Sequence, residues 1–306
     1  MKKLLNNFLP IIIFTGCTTV NHPDLDNAKE ALNNGFYQTA IHYANQEIIV
    51  DPYNADAFLI SGKAYSRLNE KEKAFENFNK AVNLSPGDET YFSRGLEHLK
   101  NNALTEAVHD FNKSISYNNT NREVLFTRAY TKSLMEDFEG AIEDYKKTIE
   151  LDPSYFAAYT NLGNIYGRLG YEQEALACFS MAIGIQPNNP DGYFNRGNQK
   201  LIMNDLSGGI EDLEKSLMID DKNISALFLL SELKIKANDN LGSFEVLNRI
   251  LSLEESPKAL YLRGTIYLKL EDKLKACNDF NRAGELGYYD AYEMINKYCV
   301  KSKKKK

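Results

Sequence analysis

Apolar and small residues recur along this chain with two superposed periods. In FAAYTNLGNIYGRLGYEQEALACFSMAIGIQPNN, residues 156–189, Tyr159, Leu162, Gly163 and Tyr166 return at three- and four-residue steps, as do Ala175, Phe179 and Ala182. That spacing predicts two amphipathic α-helices, because residues three and four apart share one helix face. Gly170 breaks the pattern between them and Pro187 closes it, which predicts a tight turn and then a stop. The longer period is 34 residues. YFSRG at 91–95 returns as YFNRG at 193–197, three such periods later, and LFTRA (125–129) and LYLRG (260–264) are variants of it.

Stepping by this period divides the chain into 21–54, 55–87, 88–121, 122–155, 156–189, 190–223, 224–256 and 257–290. The eighth place of these units holds Ala28, Gly62, Gly95, Ala129, Gly163, Gly197, Ser231 and Gly264. The twentieth holds Ala40, Ala74, Ala107, Ala141, Ala175, Gly209, Ser243 and Ala276. Two helices approach to about 8–10 Å only where side chains are small, so these two places are where the helices of a unit touch. Pro52, Pro86, Pro153 and Pro187 end four of the units.

The pattern resembles the tetratricopeptide repeat. The resemblance implies an all-α fold, a right-handed superhelix (α-solenoid) of about eight helix-turn-helix repeats with first helices lining a concave groove. After the eighth unit, DAYEMINKYC (290–299) reads as a capping helix, the cap spanning 290–300, with Ala291, Ile295, Tyr298 and Cys299 on its apolar face.

Arginine holds the seventh place in four units, as Arg94, Arg128, Arg196 and Arg263. Sixteen residues on, the same units carry Asp110, Asp144, Asp212 and Asp279. The other four units lack both, pairing Asn27 with Tyr43, Ser61 with Asn77, Leu162 with Cys178 and Leu230 with Val246. Positions that switch together are expected to touch, and a buried guanidinium needs an acceptor. The repeated arginine therefore reads as a structural ion pair and not as a ligand group.

The fifth place, expected on the groove, holds Phe92, Phe126, Phe194, Phe228 and Tyr261, an aromatic row that either docks apolar peptide side chains or packs within the superhelix. Asn161, Asn164, Asn195 and Asn198 add amides at the sixth and ninth places of two adjacent units. They resemble the ladders by which some members of the family hold a peptide backbone, a task that suits a group able to donate and accept. His22, His42, His98 and His109 lack metal-ligand spacing, and no phosphate-binding glycine loop or nucleophile elbow is present. No catalytic residue, metal site or cofactor is expected, and the chain does not read as an enzyme.

Cysteines carry two further expectations. The twenty-first place holds Ile41, Phe75, Val108, Ile142, Leu176, Ile210 and Phe244, then Cys277, which predicts a buried thiol facing the cap and Cys299. A Cys277–Cys299 disulfide and two buried free thiols both fit, while Cys178 is expected to stay unpaired.

MKK followed by FLPIIIF (8–14) and Thr15-Gly16-Cys17 resembles a bacterial lipoprotein signal, cut after residue 16 before a lipidated Cys17, with a linker over 17–20. Thr18 follows, so the aspartate of inner-membrane retention is absent; the expected address is the outer membrane, on its periplasmic or surface face. The net charge of −6 becomes −8 without Lys2 and Lys3, and −13 once the five lysines of the tail KSKKKK (301–306) are set aside. An acidic body argues against a nucleic-acid partner. The tail reads as a solvated end. The expected function is a membrane-anchored adaptor holding a protein or peptide segment in its groove at the cell envelope. The alternative is a glycan-related binding or enzyme accessory lipoprotein whose aromatic row stacks on sugars.

Overall fold

The computed structural model describes residues 23–300, so the signal, Cys17 and its linker, and the lysine tail lie outside the described residues. Among the described residues there are seventeen α-helices, a π-helical turn and no strand. They form two compact units, one ending at Asn119 and the other beginning at Thr120.

The first unit holds three antiparallel helix pairs: α1 (Pro23–Asn33) with α2 (Tyr37–Val50), α3 (Ala55–Arg67) with α4 (Lys71–Leu84), and α5 (Asp88–Lys100) with α6 (Leu104–Tyr117). The second holds α7 (Arg122–Leu134) with α8 (Phe138–Leu151), α9 (Phe156–Arg168) with α10 (Glu172–Ile185), and α11 (Pro190–Ile202) with α12 (Leu206–Ile219). It continues with α13 (Ile224–Lys236) and α14 (Asn240–Leu253), then α15 (Pro257–Lys269) and α16 (Lys273–Glu285). Within each unit every pair stacks on the next, so the architecture is the all-α solenoid of helix pairs.

Local chemistry sets the helix ends. Asn54, Asn121, Asn189, Asn223 and Ser256 each accept a backbone N–H at the start of a first helix, and Asp137, Asp205, Asp239 and Asp272 do the same for second helices. Between the helices of every pair the chain turns through one left-handed residue, always at the fifteenth place: Gly35, Asn69, Asn102, Glu136, Gly170, Asn204, Asn238 and Glu271. Glycine and asparagine tolerate this conformation, whereas the two glutamates carry its steric cost.

All sixteen residues at the eighth and twentieth places are buried. A third place completes the contact. A Cβ on Gly62, Gly95, Gly163 or Gly264 would stand 2.6–2.7 Å from the ring of Phe78, Phe111, Phe179 or Phe280 on the partner helix. Each glycine thus makes room for the ring sixteen residues later. Where the eighth residue is alanine or serine, the twenty-fourth is Ala44, Tyr145 or Leu247.

The cap differs from a single helix. α17 (Asp290–Met294) widens into a π-helical turn over Ile295–Cys299. Ala291 is buried, but Ile295, Tyr298 and Cys299 are only half-buried. Tyr292, though exposed, adds a polar contact, its hydroxyl donating to the Gly284 carbonyl at 3.0 Å. The twenty-first place is likewise less buried than the sequence suggests: only Ile41 is fully covered and the other seven residues are half-buried. These side chains lie along the seam between pairs. Phe75 packs at a tilt against His98 at 4.7 Å and Phe244 edge-on against Tyr267 at 5.3 Å, each partner standing at the eleventh place of the next first helix. For the last pair the cap stands in place of that helix. Cys277 and Cys299 form a disulfide with their Cα atoms 5.5 Å apart.

Replacing Glu136, at φ 61°, with glycine should raise stability by about 0.5–1 kcal/mol in chemical denaturation. The exposed Arg168–Glu136 pair lost in the exchange is worth little. A loss of stability on Glu136→Gly would show that the turn carries no strain.

Candidate functional site: the first-helix face

The arginines lie close to the first-helix face, so their role decides what that face has free for binding. All four are bidentate. Nε and Nη2 of Arg94, Arg128, Arg196 and Arg263 donate to the two carboxylate oxygens of Asp110, Asp144, Asp212 and Asp279 over 2.6–2.8 Å. The aspartates are buried, Asp144 completely. Arginines also reach back to the preceding pair: Nη1 of Arg94 donates to Asn79, that of Arg196 to Ser180 and that of Arg263 to Asn248. One guanidinium therefore joins both helices of its own pair and fixes that pair to its neighbour.

A second cation, at the eleventh place, was not singled out in the sequence. Lys132 and Lys200 stand 2.8 Å from Asp144 and Asp212. His98 occupies the same place, 3.8 Å from Asp110, and burial holds its pKa below the ordinary histidine value. Burial alone would push the Asp212 carboxyl up, but hydrogen bonds from Arg196 and Lys200 outweigh it and hold the group below the usual carboxylate range. In pairs without the strut, Leu162 with Cys178 and Leu230 with Val246 join the apolar clusters. Cys178 is a free thiol that burial pushes up to about 11. Ser61 is buried with its hydroxyl unpartnered, while Asn77 turns back to the Lys73 carbonyl.

The aromatic row is half-buried throughout. Phe92, Phe126 and Tyr261 pack on Phe111, Tyr145 and Phe280 of their own second helices with centroids 5.6–5.8 Å apart, and Phe194 and Phe228 rest on the apolar cluster below them. The row is thus core on one side and surface on the other. The four asparagines divide. Asn164 and Asn198 are exposed, whereas Asn161 and Asn195 are half-buried. Asn161 has a neighbour that the sequence did not disclose, the buried hydroxyl of Tyr145. Burial pushes that phenol up to about 12, with the side chains of Asn161 and Ser133 offsetting part of the rise. Asn195 follows Phe179, which offers no such hydroxyl.

Ion pairs close parts of this face. Ninth-place residues pair with second-place residues of the next first helix at Lys29–Asp56 (3.3 Å), Lys63–Glu89 (2.8 Å) and Glu232–Lys258 (2.8 Å). From α7 to α13 the corresponding residues are Tyr130 and Ala157, Asn164 and Asp191, Asn198 and Ser225, and the ion pairs that do cross there, Arg168–Glu136 and Lys234–Glu214, use other places. Tyr130, Leu134 and Ile202 are exposed there, at 43%, 47% and 61%. Among the described residues, no group of three His, Cys, Asp or Glu is placed to hold a metal ion, and no helix is long and apolar enough to cross a membrane.

Comparison with known proteins agrees with the geometry. Residues 25–89, 156–189 and 257–286 match family profiles described as tetratricopeptide repeat, and residues 134–170 match one described as TPR repeat. The chain carries tetratricopeptide repeats. A TPR repeat-containing protein of Methanocaldococcus jannaschii is 23% identical over 279 residues, which is 81% of this chain and 49% of that protein. The chain spans half or less of the length of this and the next most similar curated relatives. A tetratricopeptide repeat protein from Parabacteroides merdae superposes with a TM-score of 0.59 at 16% identity, covering 80% of this chain and 99% of that one. YrrB, described as a TPR protein with an unusual peptide-binding site, gives 0.53 at 20% identity over 60% of this chain and 96% of its own. At these identities the structures show the shared fold alone.

Two measurements probe the struts. Arg94→Ala leaves Asp110 with only His98, 3.8 Å away, and should cost about 3–5 kcal/mol in denaturant unfolding. Arg128→Ala leaves Lys132 on Asp144 and should cost distinctly less; equal losses would mean that the lysine does not hold the carboxylate. The Asp212 contribution is present above the unfolded carboxyl value of about 3.9 and is lost as pH falls through the lower folded value. The stability gap between wild type and Asp212→Asn should therefore narrow between pH 7 and pH 3, and an unchanged gap would exclude an ionised Asp212.

Proposed function

We propose that this chain is a lipid-anchored adaptor of the bacterial cell envelope, holding a segment of another protein on its first-helix face. The observation that carries the binding reading is the stretch from α7 to α13. There exposed apolar side chains and unpaired amides occupy places that cross-helix ion pairs hold elsewhere along the face. Proteins with these repeats include the Hsp70-Hsp90 organizing protein of wheat, which is 27% identical over 166 residues, and the peptide-binding YrrB, and both point to protein partners in place of catalysis. The lipid anchor and the outer-membrane address rest on Phe14-Thr15-Gly16-Cys17 and on Thr18.

A photo-reactive residue placed at Tyr130 in the membrane-bound protein tests the face. A discrete protein adduct that disappears when the residue is moved to the exposed Glu150 supports the adaptor, and the absence of any adduct removes it. Cys17→Ala should abolish fatty-acid labelling and release the protein from membranes; unchanged labelling and attachment would remove the anchor.

A further inference from the structure

The open stretch also has a period and a charge. Neighbouring helices in contact lie about 8–10 Å apart, so α7, α9 and α11 repeat their surface groups at about that interval. An extended β-strand repeats each side chain's direction every two residues, about 6.6 Å, and falls out of step. A polyproline II helix repeats every three residues at about 3.1 Å each, close to 9.3 Å, and stays in register. The chemistry of the face agrees. Half-buried rings at Phe126 and Phe194, with exposed Tyr130, offer the aromatic troughs into which proline rings dock. Prolines supply carbonyl acceptors and no N–H, so the face must donate, and Asn164 and Asn198 present exposed amides one repeat apart. Beneath the junction of α7 and α9 the buried Tyr145 hydroxyl lies beside Asn161 and Ser133. The exposed carboxylates of Glu123 and Asp191, in the first turns of α7 and α11, pair with no base. Corresponding carboxylates in α3 and α5 are neutralised by Lys29 and Lys63.

We propose that the face from α7 to α11 binds a basic, proline-rich segment in the polyproline II conformation, with Asn164 and Asn198 donating to its carbonyls and Glu123 and Asp191 facing its cations. This rests on the adaptor reading and specifies its partner.

The test uses fluorescein-labelled (Pro-Pro-Arg)4 and measures anisotropy against the full-length protein. The expected result is binding at least tenfold tighter than that of (Gly-Ser-Arg)4 or (Pro-Pro-Glu)4, and a loss of tenfold or more in Asn164→Ala/Asn198→Ala. Both asparagines are exposed, so the melting curve of the double variant should match wild type; should it not, Tyr130→Ala provides the same readout. Equal binding of the glycine-serine peptide would reduce the interaction to charge and overturn the proposal. Tighter binding of the β-prone (Thr-Val-Arg)4 would overturn it in favour of an extended strand. If no peptide binds while the Tyr130 adduct persists, the partner class is wrong and the adaptor stands; if the adduct is also absent, both fall.

Discussion

Two helices can lie against each other only as closely as their bulkiest facing atoms allow, and here that limit is set by a glycine under a phenylalanine ring. With Gly95 in place, the ring of Phe111 reaches the backbone of α5, and the same arrangement recurs at Gly62, Gly163 and Gly264. The short gap that results brings Asp110 within hydrogen-bond reach of Arg94, and a wider gap would break both bonds of that pair. Close packing also buries the carboxylate, so the charge must be met by the guanidinium and, in two pairs, by a lysine. In these four glycine pairs the position of the first-helix face follows from this contact, because the same helix that is clamped inward at its eighth residue presents its ninth outward.

Much of this was legible from period alone. Small residues at two fixed places imply helix contact whatever the rest of the sequence does, and the paired exchange of Arg128 and Asp144 for Leu162 and Cys178 implies that the two side chains meet. Three things were not legible. The left-handed turn accepts glutamate at Glu136 and Glu271, so composition did not mark the fifteenth place in every unit. The lysines on the aspartates share the eleventh place, but Lys234 stands there too in a unit that lacks the matching aspartate, so the place alone did not mark them. The seam along Phe75 and Phe244 is half-open because it packs against a single ring of the next helix, a matter of depth that hydrophobicity does not report.

The candidate site was legible in kind but not in extent. Sequence placed an aromatic row and four asparagines on one face as equals. The structure ranks them, since Asn161 lies beside the Tyr145 hydroxyl while Asn164 and Asn198 stand free in solvent. It also shows where the face is closed, because cross-helix ion pairs depend on the register between neighbouring helices and cannot be read from either helix alone.

The disulfide at the end of the chain changes how that end can come apart. In a stack where each element touches only its neighbours, opening begins at the terminal element, which has the fewest contacts to lose. Here the terminal element is short and its helical turn is wide, a poor candidate for persistence on its own. Joined covalently to α16, its far end stays with that helix, so the cap and α16 are tied into one block. The boundary of that block is a matter of redox state as much as of sequence, and reducing the bond would move the first site of opening outward to Asp290.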